Sequence, residues 1–378
     1  MENKIYITGI GSVTSLGYGN AETWDNYLSE KSTITVDHQW KNEQIGQLFF
    51  GQPSEVQFDQ EISWSERFPP NLYSRLGILA CKKALDDAGI ILATEDNDIG
   101  LIIETSFGAT ESVEDYLDDL YRYGVQKVSP IKFTKTVANT VLGDISRLFK
   151  LNGSSSLIYN NNSIAYGIDL INKGMAHTVV CGGVDHYTEY RLLSLQETGK
   201  LILADSPGTR YEVRKHFSTD NNKFIPGNGA AFVVLETAES ARRRGAKVYA
   251  ELADYQTNFD YENVENAQKR SDFILKHACD FYTKFLQADK KAVYMAPYTN
   301  ENSRPENETW LLNELGRNSN ISSVNHKAYT GDMAAASSIM GTALAALILK
   351  NDPSEIETAL IGSSHEGGAS SQIVLKAI

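Results

Sequence analysis

The feature that most constrains this chain is a repeated order in which a helix-period apolar pattern feeds a short, unbroken apolar run. Leu72, Leu76, Leu79, Ala80 and Leu85 recur at helical spacing in LYSRLGILACKKALDDAGI, Gly89 supplies a C-terminal cap, and IGLIIET follows over residues 99–105. The order returns as DISRLFKL, SSSLIYN, SIAYGIDLINKG, HTVVCGG and FIPGNGAAFVVLE, which reads helix, strand, helix, strand, strand. Strands that are apolar throughout belong to a sheet covered on both faces, so the expected class is α/β. After Glu251 the pattern restarts: a long helix around residues 264–287, the strand KAVYMAP, an alanine-rich helix over 332–350, then ETALIGSS and SQIVLKAI. Two similar halves, 1–250 and 251–378, fit this repetition better than two unrelated domains. The least ordered stretches are expected at residues 35–68 and in TNENSRPENE, 299–308.

A length of 378 residues buries a large core without small-scaffold devices. Lys plus Arg number 35 against 48 Asp plus Glu, a formal charge of −13 and the wrong sign for coating a duplex or an anionic membrane, so no nucleic-acid partner is expected. Cys81, Cys181 and Cys279 are too few and too scattered for a disulfide framework or a CxxC metal site. Met1 leads directly into the strand-like Ile5-Tyr-Ile-Thr-Gly, and the expectation is a cytoplasmic protein. Residues 333–349 are the most lipid-like, yet Ser337, Ser338, Gly341 and Thr342 interrupt them and they fall short of the roughly 20 residues a membrane span needs. They read as a helix buried on every side. No phosphate-cradling loop, dinucleotide fingerprint or metal-ligand spacing is present, so no cofactor and no metal are expected.

Five segments, in order and over nearly the whole chain, carry a resemblance: YITGIGSVTSLGYGNAETWDNYLSEKSTI, SPIKFTKTVANTVLGDISRLFKLNG, INKGMAHTVVCGGVDHYTEY, FIPGNGAAFVVLETAESARRRGAKVYAEL and SVNHKAYTGDMAAASS. Together they resemble the β-ketoacyl-acyl-carrier-protein synthases of the thiolase fold. That resemblance implies two similar α-β-α-β-α halves in five layers. It also implies a chemistry in which a cysteine thiolate at a helix N-terminus is acylated. Two histidines then donate to the thioester oxygen while a malonyl group loses carbon dioxide, and a lysine adds electrostatic support.

Residue by residue, that chemistry is missing. The nucleophile position falls in SLIYNNNSIAYG, which offers Asn160, Asn161, Asn162 and Ser163 and no cysteine; Asn162 is the nearest match, in a stretch shorter than the family's elbow. Cys181, before Gly182-Gly183, reads as a small core residue. The first histidine position is Pro297, with Glu308-Thr309 matching the family's Glu-Thr pair downstream. The second, after Thr330-Gly331, is Asp332, which accepts where an imidazole would donate. Lys327 is kept and either pairs with Asp332 or balances a capped helix start. The family's gate is replaced by His365-Glu366-Gly367-Gly368-Ala369-Ser370, with Glu366 in place of a phenylalanine. No catalytic residue is therefore assigned.

An intact scaffold without catalytic groups resembles the chain-length factors of polyketide and aryl-polyene systems, silent subunits that dimerise with an active ketosynthase and shape its acyl tunnel. The implied partners are that ketosynthase and, through it, an acyl carrier protein. Candidate interface segments are residues 105–141 and 153–166. Trp24, Phe107, Phe133 and Tyr166 are bulky enough to line or plug a tunnel, or are ordinary core. Two alternatives stay open. One is an acyltransferase or hydrolase using Ser163 or another serine with His326 or His365. The other is a carrier- or lipid-binding module using the basic clusters Arg242, Arg243, Arg244, Lys247 or Lys127, Lys132, Lys135, which are otherwise solvated faces of an acidic protein.

Overall fold

A computed structural model describes residues 4–36, 40, 42–53, 58–64, 70–92, 97–160, 162–206, 208–213, 223–261, 271–296, 306–317, 319–352, 355–365 and 367–378. Its principal strands are β1 (Ile5–Thr14), β2 (Gly100–Thr105), β3 (Ser155–Tyr159), β4 (Thr178–Asp185) and β5 (Gly229–Thr237), then β6 (Ala250–Phe259), β7 (Lys291–Met295), β8 (Asn320–Val324), β9 (Ile356–Ser364) and β10 (Ala369–Lys376). With the short strand Gly17–Tyr18, which hairpins onto β1, they form one eleven-stranded sheet. The first five run in the order β3-β2-β4-β5-β1 and the second five in the order β8-β7-β9-β10-β6. The two orders are the same, and so are the directions: in each set the second strand lies parallel to the third and fourth, and the remaining pairs are antiparallel. The repetition read in the sequence is thus a repetition of topology. Ile5 and Ile7 of β1 pair with Leu252 and Ala250 of β6, which fuses the two sets into one sheet.

Successive strand residues point to opposite faces, and here both faces are apolar. On β5, Ala231, Val233 and Leu235 enter a central core while Ala230, Phe232 and Val234 enter an outer one; on β10, Ile373 and Leu375 face the centre and Val374 the outside. Helices close each core: α1 (Leu72–Asp87), α2 (Thr110–Tyr123), α3 (Pro130–Thr134), α4 (Thr140–Phe149), α5 (Ser163–Asn172), α6 (Asp272–Thr283), α7 (Glu306–Gly316), α8 (Lys327–Thr330) and α9 (Ala335–Asn351). The outer core of the first half is covered by α1 and α4, that of the second by α6 and α7, and the central core is filled by α5 and α9. The result is helix, sheet, helix, sheet, helix, the five-layered α/β arrangement expected from the sequence.

Helix α9 is the central helix foreseen from its lack of a polar face: every residue from Ala335 to Leu349 is buried, against β4 and β5 on one side and β7 and β9 on the other. It starts at Ala335 rather than at 332, because Asp332, Met333 and Ala334 form a turn in which Ala334 has φ 50°. Of the segment 35–68, residues 37–39, 41, 54–57 and 65–68 lie outside the described residues. Among its described residues, Leu48, Phe49, Phe50 and Phe58 are buried, and Phe50–Gly51 pairs with Ile34–Thr35. Of residues 299–308, those from 299 to 305 lie outside the described residues.

Candidate active-site region

The α5, α8 and α9 starts converge with the turn between β9 and β10. Asn162 is the N-cap of α5, and its side chain accepts from Ala165 N at 3.1 Å. The residue expected nearest the family's nucleophile position therefore serves as a helix cap, for which asparagine is well suited. Asn160, just before it, has φ 44°, a conformation asparagine tolerates better than most residues. Ser163, fully buried, donates its backbone N–H to Glu104 Oε2 at 2.5 Å. Glu104 is itself fully buried on β2; burial pushes its pKa up to about 8, against hydrogen bonds from Ser338 and Ser163. On the neighbouring strand Asp185 accepts from Thr105 Oγ1, Ser106 N, Phe107 N and Ala335 N at 2.7–2.9 Å, and burial pushes it to about 6.

Asp332 pairs with Lys327 and braces the turn before α9, whose N-cap, Ala334, has no side-chain cap. Its Oδ2 lies 3.2 Å from Lys327 Nζ, and its Oδ1 accepts from Ala334 N at 2.8 Å in the turn before α9. Pro297, Glu366 and Asn161 lie outside the described residues. Of the described residues on either side of Glu366, His365 N donates to Ala369 O at 2.9 Å, and Asp260 N donates to Gly368 O at 2.7 Å. Gly368 has φ 89°, and a Cβ there would stand 2.5 Å from Asp260 O, so only glycine fits.

His326 and His365, separated in sequence, are brought to one cavity with Lys327, Ser337, Ser338 and Ser363; its volume is about 10 Å³, room for one water molecule. Among the described residues neither ring nitrogen of His326, nor Nε2 of His365, meets a hydrogen-bond partner. Burial, reinforced by the Lys327 ammonium, lowers their pKa values to about 3 and about 4, so both rings are neutral at pH 7. Cys181 is wholly buried on β4 with its thiol pushed well above the ordinary range, which makes it core. Glu104, Asp185 and Ser338 were not among the sequence candidates. The one visible signal was a lone carboxylate ending the apolar run of residues 99–105.

Elsewhere the sequence candidates separate. Arg244 is bound to Glu236 at 2.5 Å, Lys247 to Asp87 at 2.6 Å, Lys132 to Asp119 at 2.5 Å and Lys135 to Asp144 at 3.0 Å, so each basic cluster is partly neutralised within the chain, while Arg242, Arg243 and Lys127 are exposed. Trp24 packs on the central core, and Phe107 stacks edge-on against Tyr187 at 5.0 Å. Phe133 and Tyr166 are exposed instead. Tyr121, Val125 and Tyr159 are exposed as well, and Tyr159 ends β3, the strand at the edge of the sheet. Helix α2, in the same region, buries none of its residues. Among the described residues no helix is long and apolar enough to cross a membrane, and no group of three or more His, Cys, Asp or Glu could hold a metal ion.

Comparison with known proteins places the family and the fold. The family model for the β-ketoacyl synthase N-terminal domain matches residues 2–241. The 3-oxoacyl-(acyl-carrier-protein) synthase 2 of Vibrio cholerae is 26% identical over 262 residues, covering 67% of this chain and 63% of that protein. The Staphylococcus aureus protein of the same name is 24% identical over 268 residues, covering 69% and 64%. The match thus spans less than two thirds of these relatives' length. Among solved structures, the ishigamide ketosynthase/chain length factor superposes over 100% of both chains with a TM-score of 0.85 at 18% identity. A type II polyketide ketosynthase in complex with its acyl-carrier protein, bound to the hexaketide, does so with a TM-score of 0.79 at 18% identity. The fold is the thiolase-like ketosynthase fold, and the chain belongs to the β-ketoacyl synthase family.

Proposed function

We propose that this chain is the catalytically silent subunit of a ketosynthase pair, a chain-length factor that dimerises with an active β-ketoacyl synthase and shapes the tunnel for its growing acyl chain. The observation that carries the reading is the start of α5. Asn162 caps the helix where a nucleophile would stand, the Ser163 amide is taken by Glu104, and the adjoining cavity has room for one water. The edge strand β3 and the exposed Phe133, Tyr159 and Tyr166 support a dimer interface within residues 105–141 and 153–166. Carrier protein docks through the partner, because this chain has a formal charge of −13 and part of each basic cluster is paired within it. Residues 1–250 and 251–378 form its two halves, a cytoplasmic location follows from this role, and the product is of the polyketide or aryl-polyene class. The test is to supply the co-purified pair with isotopically labelled acyl-carrier thioester. Label is expected on the partner alone, and label on a peptide within residues 154–173 of this chain contradicts the reading.

A second reading is favoured by the unpartnered nitrogens of His326 and His365 beside Lys327: thioester hydrolysis or transfer by this chain itself. Turnover by the isolated chain that disappears on Ser163→Ala or His326→Gln would support it.

A further inference from the structure

Two carboxyl groups on adjacent strands, Glu104 of β2 and Asp185 at the end of β4, are fully buried and each meets a helix-start amide. Ser163 N of α5 donates to Glu104 at 2.5 Å, and Ala335 N of α9 donates to Asp185 at 2.9 Å. Asp185 is surrounded by donors only, as suits an ionised carboxylate. Glu104 differs. Its second oxygen touches the Ser338 hydroxyl, and that same hydroxyl lies 3.0 Å from the carbonyl oxygen of Ala335. With an ionised Glu104 the one hydroxyl proton of Ser338 is shared between the two acceptors; with a protonated Glu104 that donates to Ser338, Ser338 is free to donate fully to Ala335 O. A protonated Glu104 satisfies every partner at once. The groups facing it are consistent with that state: the Asp185 carboxylate and the Cys181 thiol on β4, Ser163 on α5 and Ser338 on α9.

We propose that Glu104 is a built-in blocking group: its carboxyl occupies the helix-start amide of α5 that a thiolate or a substrate's thioester oxygen would need, and through Ser338 it staples α5 to α9. The missing cysteine is then only one of two barriers. Restoring a thiol by Asn162→Cys leaves the amide occupied, and the helix-terminus effect that lowers a thiol's pKa is blunted. This rests on the silent-subunit reading for its biological meaning, but it concerns this chain alone.

The test uses the full chain carrying Asn162→Cys, with and without Glu104→Ala. Iodoacetamide alkylation of the introduced thiol is followed on its own peptide by mass spectrometry across pH. Adding Glu104→Ala is expected to lower the apparent thiol pKa by about one unit and to speed alkylation at pH 7 by about tenfold. Equal pKa values overturn the proposal, and so does a faster rate without a pKa shift, which marks mere access. Should Glu104→Ala not fold, Glu104→Met, of similar length but without an acceptor for the Ser163 amide, serves in this alkylation test. The native Glu104 keeps a proton that the unfolded chain releases above its ordinary pKa. Stability contributed by the neutral group is therefore lost as pH rises from about 4.5 to about 8. Glu104→Gln is expected to remove that part of the Tm slope, and an unchanged slope overturns the proposal. A heterodimer that forms while both tests fail leaves the subunit reading standing and this one refuted.

Discussion

Lys327 Nζ lies 3.2 Å from Asp332 Oδ2 at the edge of the cavity, and the other oxygen of the same carboxylate caps Ala334 N. A cation so answered is poorly placed to polarise a thioester, and the anion that answers it also fixes the entry to α9. Removing Asp332 leaves the mostly buried ammonium without its partner. Asp332→Ala is expected to reduce the unfolding free energy by about 3 kcal/mol, read from urea denaturation. The double variant Asp332→Leu with Lys327→Met should recover part of that loss, and a single-variant loss of surface size contradicts this account of the pair.

Three buried histidines make the fold acid-sensitive. His186, His326 and His365 have pKa values lowered by burial to about 4, 3 and 4, against roughly 6.5 in the unfolded chain. Below pH 6.5 the unfolded state therefore binds more protons, and stability falls as pH drops. The expected loss by pH 5 is about 2 kcal/mol per histidine. His326→Phe should flatten the Tm profile between pH 6.5 and pH 5, and a slope identical to that of the native chain contradicts the neutral assignment.

The Gly182-Gly183 step is a packing requirement. A Cβ on Gly183 would stand 2.8 Å from Ala336 Cα and 2.9 Å from Ala335 O, backbone atoms of the central helix that cannot turn aside. Gly183→Ala is expected to cost about 3 kcal/mol or more by forcing β4 and α9 apart, measured by denaturant titration. Gly143→Ala, where nothing lies within 4 Å, is the matched control and should be near neutral or stabilising.

The scaffold was legible in the sequence because its signals are local. An alanine-rich stretch with no polar face can only be surrounded, and the restart of the strand pattern after Glu251 has its counterpart in an identical strand order. Asn162 was placed by resemblance, and its capping geometry is what its side chain prefers at a helix start. The blocking contact was not legible, because Glu104 meets Ser163 and Ser338 only after strands and helices from distant segments converge. His326 and His365 gave no hint of sharing a cavity for the same reason. The burial of Leu48, Phe49 and Phe50 was not legible, because polar neighbours hide the short pairing of Phe50–Gly51 with Ile34–Thr35.

The exposed Phe133 and Tyr159 yield a direct interface prediction. Phe133 and Tyr159 are each 56% exposed, so a charge there is tolerated by the lone chain. Phe133→Asp combined with Tyr159→Asp is expected to leave Tm within a few degrees while weakening association with the partner ketosynthase at least about tenfold, read by analytical ultracentrifugation. Undiminished association contradicts an interface at this edge.

The central claim is that the chain works as half of an unlike pair. Co-expression with the ketosynthase encoded nearest to it, followed by native mass spectrometry of the co-purified material, tests that most directly. A one-to-one complex of the two chains is the predicted result; a homodimer of this chain that leaves the ketosynthase unbound would contradict it.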